Sequence, residues 1–361
     1  MVFDETRNAF YARGIRKTVH HNSVVLDLGA GLGLHGLLAA ASGAARVYMV
    51  EPEPVINAAR EVARVSALAD KLVITQARIE ETRLPEPVDV IISVFTGNLL
   101  FSEDLLPSLF HARDRYLKPG GRMLPDRAEL WLAPLCAPEL HMKHVGRWGE
   151  SVMGFDYSPV RRFAANEMVP LRPPELGGSE RLAPGAVVSD LDLMTATHAE
   201  CDGEASSRVE ASALCHGLLA WIRIKVADEW MSNAPDEAVV HWSPVMLPVD
   251  PPLPLVQGET VVMKIRRPSR GDWTWSITAG AGSRRHSSFL ARLEGSRELA
   301  KVAPGSRPGI GAEGRRALRA LELLGHGMSI AAVAQAVGGA DPELALQQVQ
   351  RLAKRYGAET S

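Results

Sequence analysis

Cysteine is scarce in this 361-residue chain, which holds only Cys136, Cys201 and Cys215. Three widely spaced cysteines supply neither a disulfide framework nor a metal-ligand pair, so no metal site is expected and a reducing, cytoplasmic setting is. An excess of one charge is also lacking. Forty basic residues against 42 acidic ones leave a net −2, which does not argue for nucleic acid as a partner. No apolar run approaches the roughly 18 residues of a membrane span. The opening MVFDETRNAF is charged and amphipathic, unlike a signal peptide. Internal repeats and low-complexity tracts are absent. What is present is an ordinary globular composition, 46% hydrophobic and 23% charged, enough for a core and against wholesale disorder. The length suits about two domains. One asymmetry remains: from Arg284 onward there are 12 basic and 7 acidic residues.

Residues 1–125 alternate short apolar runs with helical spacing. Val24–Leu28, Arg46–Val50, Leu72–Thr75 and Val88–Ser93 read as buried strands, with helices expected over Gly36–Ser42, Pro54–Ala69 and Glu103–Tyr116. That alternation predicts an α/β domain with a parallel sheet covered on both faces. Lys118-Pro119-Gly120-Gly121 reads as a turn. Over 126–282 the texture changes to strand-like pieces (Ala128–Leu132, Leu218–Val226, Val261–Ile265, Trp273–Ile277) separated by proline-rich loops at Leu171–Pro174 and Leu247–Pro254. This predicts an antiparallel β-barrel or sandwich. Residues 283–308 read as a linker. Residues 309–361 read as three short helices, with Ser329 as a cap, in a small winged-helix-like module. The module could be a helix-turn-helix, a peptide grip or a plain packing contact, and its mild charge names no bases to read.

The most informative stretch is Val24-Val25-Leu26-Asp27-Leu28-Gly29-Ala30-Gly31-Leu32-Gly33. A buried strand runs into glycines at alternate positions and then a helix, so the backbone can turn sharply and approach a ligand at the strand's carboxyl end. The second strand ends at Glu51, where a carboxylate can accept both hydroxyls of a ribose. Nucleoside binding follows. Gly36 stands three residues after Gly33, so spacing does not exclude a dinucleotide. Asp27 before the first glycine is the better discriminator. It resembles the D-x-G-x-G-x-G loop of class I S-adenosylmethionine-dependent methyltransferases, although the carboxylate could equally serve to tie down the loop's amides.

Further motifs then resemble one family, the protein arginine methyltransferases. Asp4, Arg7 and Tyr11 match a D-x-x-R-x-x-x-Y helix. Arg46–Glu51 matches the second strand and ribose acid, and Ala77–Glu81 the adenine-contacting segment. SVFTGNLLFSEDLLPSLFHAR (93–113) follows the S-E-W-M-G-Y-x-L-x-x-E loop without a gap. Leu124–Ala128, WGESVMGFD (148–156) and His241-Trp242 match the barrel crossing, a barrel signature and the T-H-W loop. The resemblance implies a Rossmann-like domain, a β-barrel carrying a dimerisation arm near 157–185, and a homodimer. It also implies S-adenosylmethionine held by Arg7, Asp27, Gly29, Gly31, Gly33, Glu51, Ile79 and Glu80. His241 would pair with Asp4 across the site. A substrate guanidinium would sit between two glutamates, the second of which maps to Glu103.

The first glutamate maps to Val94, and Asn98 replaces the tyrosine after the loop's glycine. With Trp242 these residues are expected in the acceptor pocket. Losing one carboxylate removes a charge-assisted contact of about 1.5–3 kcal/mol. The family's tyrosine-rich lid helix would precede Asp4, and the chain begins three residues earlier, so that helix is either missing or lies upstream. Several alternatives stay open from the residues: Arg7 as a surface arginine, His241 as a packed loop histidine, Glu103 as a helix N-terminal carboxylate. Trp273 and Trp275 read as barrel packing and His20-His21 as solvent-exposed. Three functions follow: N-methylation of a peptide side chain or arginine-like metabolite, methylation of a neutral nitrogen or oxygen acceptor in a biosynthetic pathway, or a non-catalytic S-adenosylmethionine-binding assembly role.

Overall fold

The computed structural model describes residues 2–291, 312–338 and 342–356, in two compact units, Met1–Leu293 and Glu294–Ser361. The first unit opens with α1 (Glu5–Thr18), capped by Asp4, whose carboxylate accepts from the Arg7 amide at 3.0 Å. Then follow β1 (Val24–Leu28), α2 (Leu34–Ala41), β2 (Arg46–Glu51), α3 (Ile56–Val65), β3 (Leu72–Gln76), β4 (Val88–Ser93), α4 (Leu106–Tyr116) and β5 (Leu117–Leu124). The strands form one parallel sheet in the order β3-β2-β1-β4-β5. β1 is buried along its whole length, as a strand covered on both faces must be. The order reverses between β1 and β4, which opens a ligand crevice outside their carboxyl ends.

The expected strands and helices of this domain are present with shifted ends. Lys118-Pro119-Gly120-Gly121 is not a free turn. It lies inside β5 as a bulge, where Val88 and Val90 of β4 face Leu117 and Arg122, and Gly120 takes φ +77°. α4 starts at Leu106 with Pro107 in its first turn, so Glu103 precedes the helix and is not its N-terminal carboxylate.

The second half of this unit contains β6 (Arg127–Cys136), α5 (Pro138–His144), the hairpin β7 (Ser151–Val152) and β8 (Phe155–Asp156), α6 (Arg161–Ala164), β9 (Val169–Pro170), β10 (Glu180–Arg181), β11 (Ala186–Asp192), β12 (Cys201–Arg208), β13 (Ala213–Val226), β14 (Glu229–Ser232), β15 (Val245–Leu255), β16 (Thr260–Arg267), β17 (Thr274–Ala279) and β18 (Gly282–Ser287). Two antiparallel sheets face each other, β10-β6-β13-β15-β9 with β11 and β14 at its side, and β12-β16-β17-β18. They meet where β11 packs on β12 and β15 on β18, which makes the unit barrel-like.

Three expectations change here. Leu247–Pro254 is strand, not loop. β9 covers only Val245 and Met246 of β15, so the four prolines of that strand lie where its outer edge needs no amide donor. Gly282–Ser287 is the edge strand β18 rather than linker, and residues 292–308 lie outside the described residues. Of the stretch 157–185, Val169–Pro170 and Glu180–Arg181 are stitched into the barrel sheet, so only part of it is free to act as an arm. Trp273 and Trp275 are barrel core, as expected; the Trp275 indole donates to the Pro248 carbonyl at 2.8 Å. His20 and His21 are exposed.

The second unit, described by itself, holds helices Ala312–Gly325, Ile330–Val337 and Pro342–Tyr356. They enclose a small core of Ala320, Leu324, Val333, Ala334, Val349 and Ala353. The Ser329 hydroxyl caps the middle helix. Among the described residues, no helix is long and apolar enough to cross a membrane.

Candidate active site

The crevice at the strand ends is a cavity of about 1030 Å³ lined by Leu28, Gly29, Glu51, Ile79, Glu80 and Ser93 among others. Its floor is the glycine loop. Gly29, Gly31 and Gly33 take φ of +71°, +53° and +81°, a region that disfavours any side chain. A Cβ on Gly29 or Gly31 would meet nothing within 4 Å, whereas one on Gly33 would strike Met49. The first two therefore leave room above the loop, and the third lets α2 pack on the sheet.

Glu51 is 8% exposed. Its two carboxylate oxygens accept from the amides of Gly31 (3.0 Å) and Glu53 (2.9 Å), which turns the carboxylate toward the loop. Asp27 lies beneath the loop and lines neither cavity of the site. It accepts from the Gly36 amide at 2.7 Å, so it serves to tie the loop to the first turn of α2. Burial pushes its pKa up to about 7, against the pull of that hydrogen bond and with the help of the Glu51 charge.

A second cavity of about 440 Å³ is lined by Val94, Asn98, Glu103, His241 and Trp242, together with Met168, Pro170 and Val245. Val94 and Glu103 stand on the walls of both cavities. The loop that carries them is irregular. Gly97, Leu100 and Asp104 all have positive φ (+51°, 62° and 54°), which costs about 1 kcal/mol or more for a non-glycine residue. Gly97 clears space for the carboxylate, since a Cβ there would fall 2.8 Å from Glu103 Oε1. Glu103 is exposed to the open site, yet the surrounding walls strip enough water from its carboxyl to raise its pKa.

Long-range contacts hold this loop in place. Asp104 accepts a two-pronged bond from the buried Arg267 (2.7 and 2.7 Å) and a third from the Arg270 amide (3.0 Å). Asn98 accepts from the Ser243 amide at 2.9 Å. Neither Asp104 nor Arg267 was singled out from the sequence. The only local signal is an acid directly after Glu103, and its partner lies 163 residues away.

Of the expected residues, Glu51, Ile79, Glu80 and Gly29 meet in the first cavity, and Val94, Asn98, Glu103, His241 and Trp242 in the second. Arg7 and Asp4 sit behind these walls. Arg7 is 2% exposed, which excludes the surface-arginine reading, and its guanidinium lies over the Trp242 ring at 5.7 Å. The expected His241–Asp4 side-chain pairing is corrected. The His241 backbone amide, not its imidazole, donates to Asp4 at 2.7 Å. Asp4 has one carboxylate oxygen occupied in capping α1 and offers the other to the loop, so it acts as a clip between α1 and the 241–243 segment.

Known proteins resemble this chain in sequence and in fold. Residues 25–121 match the family model "Methyltransferase domain", and residues 126–274 match "Arginine methyltransferase oligomerization subdomain". The chain is 30% identical over 273 residues to protein arginine N-methyltransferase 1 of Schizosaccharomyces pombe, covering 72% of this chain and 78% of that protein. It is 31% identical to the probable protein arginine N-methyltransferase 6 of Arabidopsis thaliana, spanning 65% of this chain and about half, 55%, of that one. Its fold matches that of the Trypanosoma brucei PRMT1 enzyme-prozyme heterotetrameric complex with AdoHcy (TM-score 0.71, 24% identity, 80% of this chain and 96% of that one). It also matches protein arginine methyltransferase 10 of Arabidopsis thaliana (TM-score 0.67, 21% identity, 80% and 96%). These relatives lead to one conclusion: the chain belongs to the protein arginine methyltransferase family, whose cofactor is S-adenosylmethionine.

Proposed function

We propose that this protein methylates a guanidinium nitrogen of arginine, in a peptide or an arginine-like metabolite, with Glu103 as the carboxylate that receives the cation. The observation that carries this is the wall shared by the two cavities, on which Val94 and Glu103 both stand. The relatives favour arginine over a neutral acceptor and over a non-catalytic role. S-adenosylmethionine, when bound, supplies an electrophilic methyl group. Glu51 would hold the ribose, Ile79 and Glu80 the adenine side, and Gly29 and Gly31 would give the backbone access to it. Arg7 would face the cofactor's carboxylate.

On the acceptor side, Glu103 would pair with the guanidinium and orient one nitrogen toward the methyl group, which is where most of the rate enhancement of such a displacement comes from. Its raised pKa is lowered again once a cation arrives. Trp242, Val94 and Asn98 would form the walls that exclude water. In a labelled-methyl assay, arginine peptides should accept the methyl group and their lysine counterparts should not; label on neither, with a neutral metabolite labelled instead, would defeat the assignment.

The same proposal includes a homodimer acting in the cytoplasm. Support comes from the hairpin β7–β8, where Val152, Met153 and Phe155 are exposed, Met153 to 94%. A second apolar strip, Val55, Val62 and Val65, is exposed along α3. Docking the hairpin of each copy on α3 of the other closes a two-fold pair. Phe155→Asp should then shift sedimentation from dimer to monomer, and a monomeric wild type at micromolar concentration would exclude the pair.

A further inference from the structure

The Glu103 loop is clamped at one end by Arg267 on Asp104, and a second clamp stands at its other end. Asn233 directly follows β14 and is 4% exposed. Its backbone amide donates to the Ile222 carbonyl of β13 at 3.2 Å, and its Oδ1 accepts from the Ile222 amide at 2.7 Å. The side chain thus adds one rung to the β13–β14 ladder after the strand has ended. Because its oxygen is committed to an N–H, the nitrogen is the end of the planar amide left to bond elsewhere. That Nδ2 donates to the Asn98 carbonyl at 3.4 Å.

Asn233 lines neither cavity, so it can act on the reaction only through what it holds. What it holds is a wall residue of the acceptor cavity. Asn98 is pinned twice from the barrel, at its carbonyl by Asn233 and at its side chain by the Ser243 amide. On either side of it, Gly97 and Leu100 have positive φ, and such conformations persist only where the surroundings enforce them. Glu103 therefore stands between a clamp at Asn98 and one at Asp104. A carboxylate that must present a guanidinium in near-attack geometry gains from being fixed at both ends, because a small misplacement is costly in rate. A buried amide could satisfy itself on barrel backbone alone; this one directs its donor to the acceptor loop.

Resting on the assignment of Glu103 as the acceptor's carboxylate, we propose that Asn233 is a positioning residue for methyl transfer, tying the acceptor loop to β13 through the Asn98 carbonyl. Two variants of the full chain test it. Asn233→Ala removes both side-chain bonds without adding charge. Asn233→Asp keeps an acceptor for the Ile222 amide and sets an oxygen that cannot donate against the Asn98 carbonyl. Each should lower kcat on an arginine peptide by about tenfold, with peptide KM and S-adenosylhomocysteine affinity within about twofold of wild type. Hydrogen exchange should quicken at the amides of 95–104 and stay as in wild type over 24–36. If Asn233→Ala loses cofactor affinity along with kcat, or exchanges faster throughout the chain, the proposal is overturned and Asn233 is a general fold residue. If kcat or the exchange of 95–104 is unchanged, the proposal is overturned as well. A wild type that labels no arginine peptide defeats the Glu103 assignment together with this proposal, whereas an active wild type with an indifferent Asn233→Ala defeats this proposal alone.

Discussion

The two halves of the site are built in different ways. On the cofactor side, the bonds that hold the glycine loop join near neighbours in sequence: Asp27 to Gly36 across nine positions, Glu51 to Gly31 across 20, Glu51 to Glu53 across two. On the acceptor side they span the chain: Asn98 to Ser243 across 145, Asp104 to Arg267 across 163, Asp4 to His241 across 237. The first half is a strand, a glycine turn and a helix folding on themselves. The second is a strained loop held open by contacts from distant parts of the barrel. A substitution on one side should therefore leave the other largely intact.

The largest test of that separation is Glu103→Gln. It should lower kcat on an arginine peptide by about 100-fold or more, with S-adenosylhomocysteine affinity unchanged. Because burial raises the Glu103 pKa in the free enzyme and the carboxylate is the form that pairs, wild-type kcat/KM should fall as pH drops through a value above the ordinary glutamate range. That acid limb should vanish in the variant; a parallel loss of cofactor affinity would break the comparison. Glu51→Ala is the converse. It should weaken S-adenosylhomocysteine by about 1–3 kcal/mol and change kcat little at saturating cofactor.

Asp104→Ala leaves the buried Arg267 without its fork. Denaturant unfolding should register a loss of about 2 kcal/mol, less than the roughly 3–5 kcal/mol for breaking a fully buried pair because Asp104 is partly exposed. Turnover should fall further than cofactor affinity as the Glu103 loop relaxes. The smallest expected effect is at Val94. Val94→Glu places a second carboxylate on the shared wall and should raise turnover of arginine peptides by about fivefold, a modest share of a charge-assisted contact. A fall instead would mean that this wall is fitted to a less cationic acceptor.

Much of the cofactor half was legible because its physics is local. Glycines at alternate positions after an apolar strand, and an acid at the end of the next one, can be read from spacing alone, and Gly29, Gly31 and Glu51 stand where that reading puts them. The acceptor half was legible only by resemblance, through the loop that carries Val94, Asn98 and Glu103. Its supports were not, since nothing near Asp104 announces Arg267.

Local signals also misled in places. The prolines of 247–254 suggested a loop, because a sequence does not show that one edge of a strand will lack a partner. Asp4 and His241 did come together, but through a backbone amide. By itself the sequence determined the order of elements, the glycine loop and the acid at the end of the next strand, because short-range backbone preferences and hydrophobic periodicity act within a few turns of chain. Only the tertiary structure decided which charges face each other and where Glu103 stands, because burial and pairing across 100 residues or more depend on packing that no local pattern encodes.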